Sequence, residues 1–289
     1  MTPDISLVIV SWNVREALQK NLQRLFVLPA RVSLEVIVVD NGSTDGTPAM
    51  MRQEFSNVEF IQNERNRGFA HACNQGLHRA RGRVLVLFNP DMLMGEGVLE
   101  HTMEALTRRH DVGVMGVRLL KPDGTVVPSV RRDPRLPDQL AILLKVAKVF
   151  PGMTHRYLAT DFDYSKSQAV EQVRGSYFAF RRDVYEKVGD LDAERFFIWF
   201  EEVDYCRRVR EAGYVIWYSA DVSCTDLVGQ SFKQQRLAIK QARFSRSMAQ
   251  YFLKWHGWPQ AAIVYGLRPF VILGALLADA VRLGYAKSK

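Results

Sequence analysis

Apolar and polar positions alternate along most of the chain at two periods, one that fits strands and one that fits helices. Ile5-Ser6-Leu7-Val8-Ile9-Val10 is a β-branched run that predicts a strand. Val14 to Leu28 then places Leu18, Leu22, Leu25 and Phe26 at helical spacing, and Pro29 closes it. Leu34 to Val39 repeats the strand pattern. The loop Asp40 to Pro48 is dense in turn formers and leads into a helix for which Asp45 or Thr47 is the expected cap. Val58 to Gln62 predicts a third strand, Asn66 to Arg81 a loop and helix, and Val84-Leu85-Val86-Leu87-Phe88 a fourth strand buried on both faces. This order predicts an α/β fold, with parallel strands in a central sheet, helices on both faces and right-handed crossovers.

Further on the pattern is less regular. Gly113 to Leu120 predicts a strand, and Lys121-Pro122-Asp123-Gly124-Thr125 a hairpin turn. Leu140 to Val149 reads as an apolar helix carrying only Lys145 and Lys148; a mobile flap, a membrane-touching helix and a surface insertion all fit it. Val173 to Phe180 predicts a strand, Arg181 to Gly189 a short helix, and Tyr214 to Tyr218 another strand. Between them the aromatic run Phe196 to Phe200 leads into Glu201-Glu202-Val203-Asp204. Val203, Cys206 and Val209 recur there at helical spacing, so these acids stand on a first turn, where the helix dipole favours negative charge. Asp204 is placed to pair with Arg207 or Arg208 one turn on.

Two of the predicted strands deliver acids to one edge: Asp40 ends the second, and Asn89-Pro90-Asp91 follows the fourth. The crevice beyond the carboxyl ends of such strands is where ligands bind, so Asp91 is a candidate for holding a metal ion or a phosphate-linked ligand, although Asn-Pro-Asp is also ordinary turn chemistry. A dinucleotide-binding fold is excluded. Its Gly-rich loop should follow the first strand, and Ser11-Trp12-Asn13-Val14-Arg15-Glu16 stands there instead. Without that loop, a divalent cation on Asp91 is the economical way to neutralise a pyrophosphate.

Composition and charge narrow the picture. With 289 residues, 47% of them hydrophobic, the chain can bury a full-sized core. Cys73, Cys206 and Cys224, an odd set without a C-x-x-C, read as buried thiols in a reducing compartment. The N-terminus enters a strand pattern with no signal-peptide character, which places the expected site of action in the cytoplasm. The net charge of +8 is uneven: from Lys233 onward there are ten Lys or Arg and one acid, Asp279, a net +9, so residues 1–232 sum to −1. A nucleic-acid binder would carry its basic patch on the domain itself, so nucleic acid is not an expected partner.

Five stretches together carry a family resemblance: Val8 to Asn13, Val38 to Gly46, Asn66 to Gly76, Asn89-Pro90-Asp91 and Phe196 to Asp204. They resemble the inverting family 2 glycosyltransferases, and within them the bacterial rhamnosyltransferase-like branch. The resemblance, running from about Ile5 to Ser231, implies a GT-A fold with a mostly parallel, Rossmann-like central sheet, a nucleotide-diphosphate sugar donor and a Mg²⁺ or Mn²⁺ ion. It implies that Asp40 reads the base, with Ser11, Asn13 and Asn41 near it. Asn66, Gly68, Asn74 and Asn89 would shape the donor pocket, where Gly68, lacking Cβ, lets the backbone approach a ligand. Asp91 is the first metal ligand. Glu202 stands where the family has the Asp of a Glu-Asp pair and is the expected base for the acceptor hydroxyl, with Glu201 as runner-up. Asp192 to Phe196 is one residue longer than the usual form. In Asp226-Leu227-Val228-Gly229-Gln230-Ser231 an Asp replaces the family's His, so Asp226 is a second metal candidate alongside a plain loop acid, with Lys233 and Arg236 as diphosphate partners.

The expected organisation is a catalytic domain over 1–232 and a basic, apolar helical tail over 233–289. Within Ala261 to Val281, the longest uncharged piece, Pro269 to Ala278, is far short of the roughly 20 residues of a spanning helix. Its flanking Arg, Lys and Trp suggest a segment lying in an anionic membrane interface, at the inner face of the cell membrane. The alternative is a hairpin packed on the catalytic domain or on a second subunit, making a homo-oligomer. On the membrane-interface reading, a chain ended near Lys240 is expected to stay soluble and still bind the donor nucleotide. Two functions remain open: transfer of a deoxyhexose such as rhamnose, or a hexose, from a dTDP or UDP donor to a lipid-linked or polysaccharide acceptor, or a non-catalytic nucleotide-sugar or glycan-binding module.

Overall fold

The computed structural model describes residues 2–29, 31–227 and 235–287, with side chains as far as residue 281. The N-terminal half runs β1 (Ile5–Ser11), α1 (Arg15–Val27), β2 (Leu34–Asp40), α2 (Thr47–Glu54), β3 (Glu59–Gln62), α3 (Phe69–Arg79) and β4 (Val84–Phe88). A two-residue β5 (Met92–Leu93), α4 (Val98–Arg108) and β6 (Val112–Leu120) follow. After the predicted turn at 121–125, closed by Lys121 N–H donating to Thr125 O at 2.8 Å, come β7 (Val130–Arg131), α5 (Leu136–Leu143), β8 (Gln168–Val170) and β9 (Gln172–Val173). The chain continues through β10 (Tyr177–Arg181), α6 (Arg182–Val188), α7 (Glu201–Glu211), β11 (Val215–Asp226), α8 (Leu237–His256) and α9 (Trp258–Lys287).

The main sheet has the order β3-β2-β1-β4-β10-β6-β11-β5, with β8 added on β11. Strands β1 to β4 are parallel, as their β-branched runs predict, and every residue of β1 and β4 is buried. Beyond β4 the sheet is mixed: β10 runs antiparallel to β4 and β6, β11 runs parallel to β6, and β5 and β8 run antiparallel to β11. One sheet face packs Leu18, Leu22, Met51 and Leu106 of α1, α2 and α4, and the other packs Cys73, Leu77, Val184 and Val209 of α3, α6 and α7. All three cysteines are buried thiols.

Three elements depart from the sequence pattern. The strand expected over 173–180 is interrupted: β9 and β10 are separated by Arg174-Gly175-Ser176, which turn out of the sheet into a cavity. The helix expected over 140–149 starts earlier and ends at Leu143, because Lys145, just past the C-cap Leu144, adopts a left-handed φ of 60° and the chain continues as short 3-10 turns. The strand expected over 214–218 extends to Asp226, past a register shift between Ser219 and Ser223. That extension pairs Asp226 with Met92 of β5 and brings the end of β11 beside Asp91.

The tail forms a helical hairpin turned at Gly257. Helix α8 is part of the protein's core: its Met248, Ala249, Tyr251 and Phe252 cluster with Phe196, Phe200 and Val203 before and on α7, with Leu143 of α5, and with Ala261 and Val264 of α9. Asp204, fully buried, receives Arg208 Nε at 2.9 Å, Lys254 Nζ at 2.7 Å and Trp255 Nε1 at 2.8 Å, which clasps α8 to α7. Helix α9 runs unbroken through Arg268 and Pro269, so the short apolar pieces of the sequence join into one. By length and composition Trp258–Val281 could cross a membrane, and only 17% of its most apolar stretch is buried.

Candidate active site

A cavity of about 290 Å³ opens at the carboxyl edge of β1, β2 and β4. Its wall is built by Trp12 after β1, Asn41 after β2, Asn66 and Phe69 before and on α3, and Asn89, Pro90 and Asp91 after β4. The interruption at Arg174-Gly175-Ser176, the run Phe197-Ile198-Trp199, Glu201 and Glu202 on α7, Asp226 on β11, and Gln235 and Arg243 complete it.

The acids are set by backbone. Asn89 N–H donates to Ser176 O at 3.1 Å, and Leu227 N–H to Asp91 O at 2.9 Å, so the loop after β4 is held between β10 and the end of β11. Asp91 and Asp226 are both buried and line the same cavity. Two hard carboxylates at one ligand-binding edge suit Mg²⁺ or Mn²⁺, whose remaining positions would fall to diphosphate oxygens and water. Among the described residues no third His, Cys, Asp or Glu groups with them. Arg174 Nη1 lies 3.8 Å from Asp226 Oδ2.

Glu201 and Glu202 are presented by strained backbone. Trp199 and Phe200 have φ of 64° and 70°, a left-handed conformation that costs non-glycine residues of order 1–3 kcal/mol each. Packing pays that cost: Phe200 lies against Phe244 and Tyr251 of α8, and Ser247 Oγ donates to Ile198 O at 2.9 Å. Each glutamate keeps one sealed carboxylate oxygen, Oε2, with no hydrogen-bond partner in the protein. Burial raises Glu202 above the ordinary carboxylate range, against the opposing pull of Arg174 and Arg131, and burial and then the Glu202 charge raise Glu201 well above it.

The expected donor residues separate into several groups. Asp40 is fully buried, takes Ser43 N–H on Oδ2 at 3.0 Å, and leaves Oδ1 without a partner; burial raises its pKa. Ser11 is buried beside it in register, its Oγ also without a partner. Asn13, with φ 52°, accepts Thr44 N–H at 2.7 Å and lines a neighbouring hollow with Asp45. Asn41 spends its amide inside the protein, donating to Asn66 Oδ1 and Gly68 O and accepting from Asn63 and Arg67, so it ties down the 63–68 loop. Asn66 and Asn89 line the cavity. The cap of α2 is Gly46, at φ 84°, rather than the expected Asp45 or Thr47; the Asp45 carboxylate just ahead of it accepts Thr47 N–H at 3.1 Å and Arg15 N–H at 2.8 Å and so ties the loop after β2 to the start of α1.

Three expectations are corrected. Asn74 lies off the cavity and exchanges two hydrogen bonds with the backbone of Leu191, at 2.8 and 3.0 Å, so its amide holds the chain ahead of the aromatic run. Gly68 is needed for a neighbour within the protein: at φ +97° a Cβ there would meet Phe197 O at 2.7 Å. Arg236 is exposed at the start of α8 and does not reach the cavity; Arg243, two turns on, does, stacked 4.3 Å over Phe197 and donating to Gln235 Oε1 at 3.0 Å. Lys233 lies outside the described residues. Trp12, Arg174, Ser176, Trp199 and Arg243 are cavity residues that sequence reasoning missed. The interruption at Gly175 ahead of β10 was the available signal for two of them.

The architecture matches solved glycosyltransferases of GT-A fold. The mannosyltransferase PcManGT of Pyrobaculum calidifontis, solved with GDP-Man and Mn²⁺, superposes with a TM-score of 0.59 over 100% of this chain and 76% of its own, at 21% identity. Staphylococcus aureus TarS, solved with UDP-GlcNAc, gives 0.55 over 86% of this chain and 66% of its own, at 16% identity. Residues 6–189 match the profile of Glycosyl transferase family 2, and the chain belongs to that family. It is 30% identical over 237 residues to the N-acetylglucosaminyl-diphospho-decaprenol L-rhamnosyltransferase of Mycobacterium tuberculosis, a match covering 77% of this chain and 76% of that one.

Proposed function

We propose that this glycosyltransferase moves a sugar, rhamnose or another deoxyhexose or hexose, from a dTDP- or UDP-linked donor to a hydroxyl of a lipid-linked or polysaccharide acceptor, with inversion. The observation that supports this most is the pairing, in one cavity, of Glu202 with its unpartnered carboxylate oxygen and the acids Asp91 and Asp226. Glu202 takes the proton of the acceptor hydroxyl as its oxygen attacks the anomeric carbon, and the bond to the diphosphate breaks on the opposite face. Arg174 and Arg243 add positive charge to the wall that meets the diphosphate. Reading of the base by Asp40 would require its sealed, unpartnered Oδ1, which does not line the cavity, to open to the ring N–H of uracil or thymine. A divalent cation held by Asp91 and Asp226 would offset the charge of the departing diphosphate.

The acceptor assignment draws on the mycobacterial relative, whose name specifies a lipid-linked N-acetylglucosaminyl diphosphate. Such acceptors place the enzyme on the cytoplasmic face of the membrane, where its basic tail meets anionic lipid. The test is incubation of the full chain with dTDP- and UDP-sugars and a prenyl-diphosphate-linked N-acetylglucosamine, with the product anomer read by NMR. Chelation should stop transfer, and Mg²⁺ or Mn²⁺ should restore it. A chain that binds a nucleotide sugar but consumes none with any acceptor is a binding module, and full activity of Asp91→Ala in excess chelator removes the metal assignment.

A further inference from the structure

Exposed large apolar side chains are unevenly distributed. Apart from Phe26 and Val27, all of them among the described residues fall either between Leu144 and Met153 or on α8 and α9. These two regions adjoin. Leu143, the last residue of α5, is buried in the same cluster as Ala261 and Val264 of α9, so the segment after α5 emerges beside the hairpin. There the left-handed Lys145 ends the helix, and the 3-10 turns satisfy their own backbone, with Val149 and Phe150 N–H both donating to Val146 O at 2.9 Å. Val149 and Phe150 are left 72% and 60% exposed. On α9 the exposed Ile263, Phe270, Leu273, Leu277 and Val281 recur at intervals of three, four and seven and form one stripe, while Ala261, Val264 and Ala275 are buried on the other side.

Charge selects the partner. Leu144–Met153 carries Lys145 and Lys148 and no acid; of the tail's ten Lys or Arg, Arg243 lines the cavity and Lys254 pairs with Asp204, which leaves eight against Asp279 alone. That acid faces inward: its Oδ1 and Oδ2 accept Leu237 and Ala238 N–H at 3.1 and 3.0 Å, capping α8. An apolar stripe with cations and no outward acid complements an anionic bilayer. The same cap argues that α9 lies on the membrane and does not cross it. Asp279 near the far end of α9 holds the start of α8, and α8 supplies Arg243 to the cavity, so a crossing would drag the cavity wall into lipid.

We propose that Leu144–Met153 and α9 form one composite surface that seats on an anionic lipid bilayer, the short 3-10 segment being a second contact beside the tail. This rests on the membrane-side reading above. The three native cysteines are buried, so single cysteines introduced as Phe150→Cys and Leu273→Cys in the full chain take an environment-sensitive dye selectively. With vesicles of phosphatidylglycerol and phosphatidylcholine, both dyes should shift to the blue and be quenched by brominated lipid, and pure phosphatidylcholine should give much less. Val149→Asp with Phe150→Asp should weaken vesicle binding by about tenfold or more, as expected for charges placed in an apolar contact. Transfer to a water-soluble acceptor should be unchanged. A dye at 273 that enters lipid while the dye at 150 stays in water overturns the composite surface and leaves the membrane reading standing. Neither dye entering lipid overturns both, and shifts that follow protein concentration without vesicles assign the surface to a second copy of the chain.

Discussion

At the scale of single residues, two adjacent glutamates line one cavity, and the proposed chemistry rests on the second of them, Glu202. Glu202→Gln keeps the shape but cannot take a proton, so transfer should fall about 10²-fold to 10⁴-fold while donor affinity, measured by titration calorimetry, stays near that of the parent. Because burial raises Glu202, the parent's rate should climb with pH through a midpoint above the ordinary glutamate value, and the Gln variant should lose that limb. Glu201 carries the stability counterpart. Its proton is held more tightly in the folded chain than in the unfolded one, so the stability present below about pH 4.3 is withdrawn as the pH rises through the raised folded value. Glu201→Gln should therefore melt higher than the parent at neutral pH and show a flatter profile; equal pH dependence of the two melting curves would contradict this. The cavity acids Asp91, Glu201 and Glu202 were legible in the sequence because each follows a strand or opens a helix whose apolar pattern is unambiguous. Arg243 and Arg174 were not, since their reach depends on how α8 packs and where a strand is interrupted.

At the scale of elements, the parallel half of the sheet could be read because its strands are continuous apolar runs bounded by turn residues. The rest resisted for a physical reason. Apolar residues over 173–180 fit one strand as well as two, and only pairing partners decide that β9 joins β7 while β10 joins β4. The extension of β11 to Asp226 is likewise set by its partners β6 and β5. Gly68 shows how closely the elements meet. Gly68→Ala adds a Cβ against Phe197 O in a backbone conformation that alanine disfavours, and should cost about 1–3 kcal/mol. Thermal unfolding checks the loss, and transfer should drop with it, because the displaced segment carries Glu201 and Glu202.

At the scale of the whole molecule, the tail is two things. Its first helix completes the core around Phe196, Phe200 and Val203, so a chain ended near Lys240 should aggregate on purification, the reverse of what the charge pattern alone suggests; size-exclusion chromatography decides. Its second helix offers an outward apolar face. Between core and surface lies the contact of Phe69 N–H with Phe197 O at 2.6 Å, which joins the loop carrying Asn66 to the segment carrying the glutamates. If the proposed donor site is right, a nucleotide sugar that settles the first loop should also settle the second, bringing Glu202 into register once the donor is in place. The enzyme should consequently show a compulsory order, donor on first and nucleoside diphosphate off last, and product inhibition by the nucleoside diphosphate should be competitive against the donor alone.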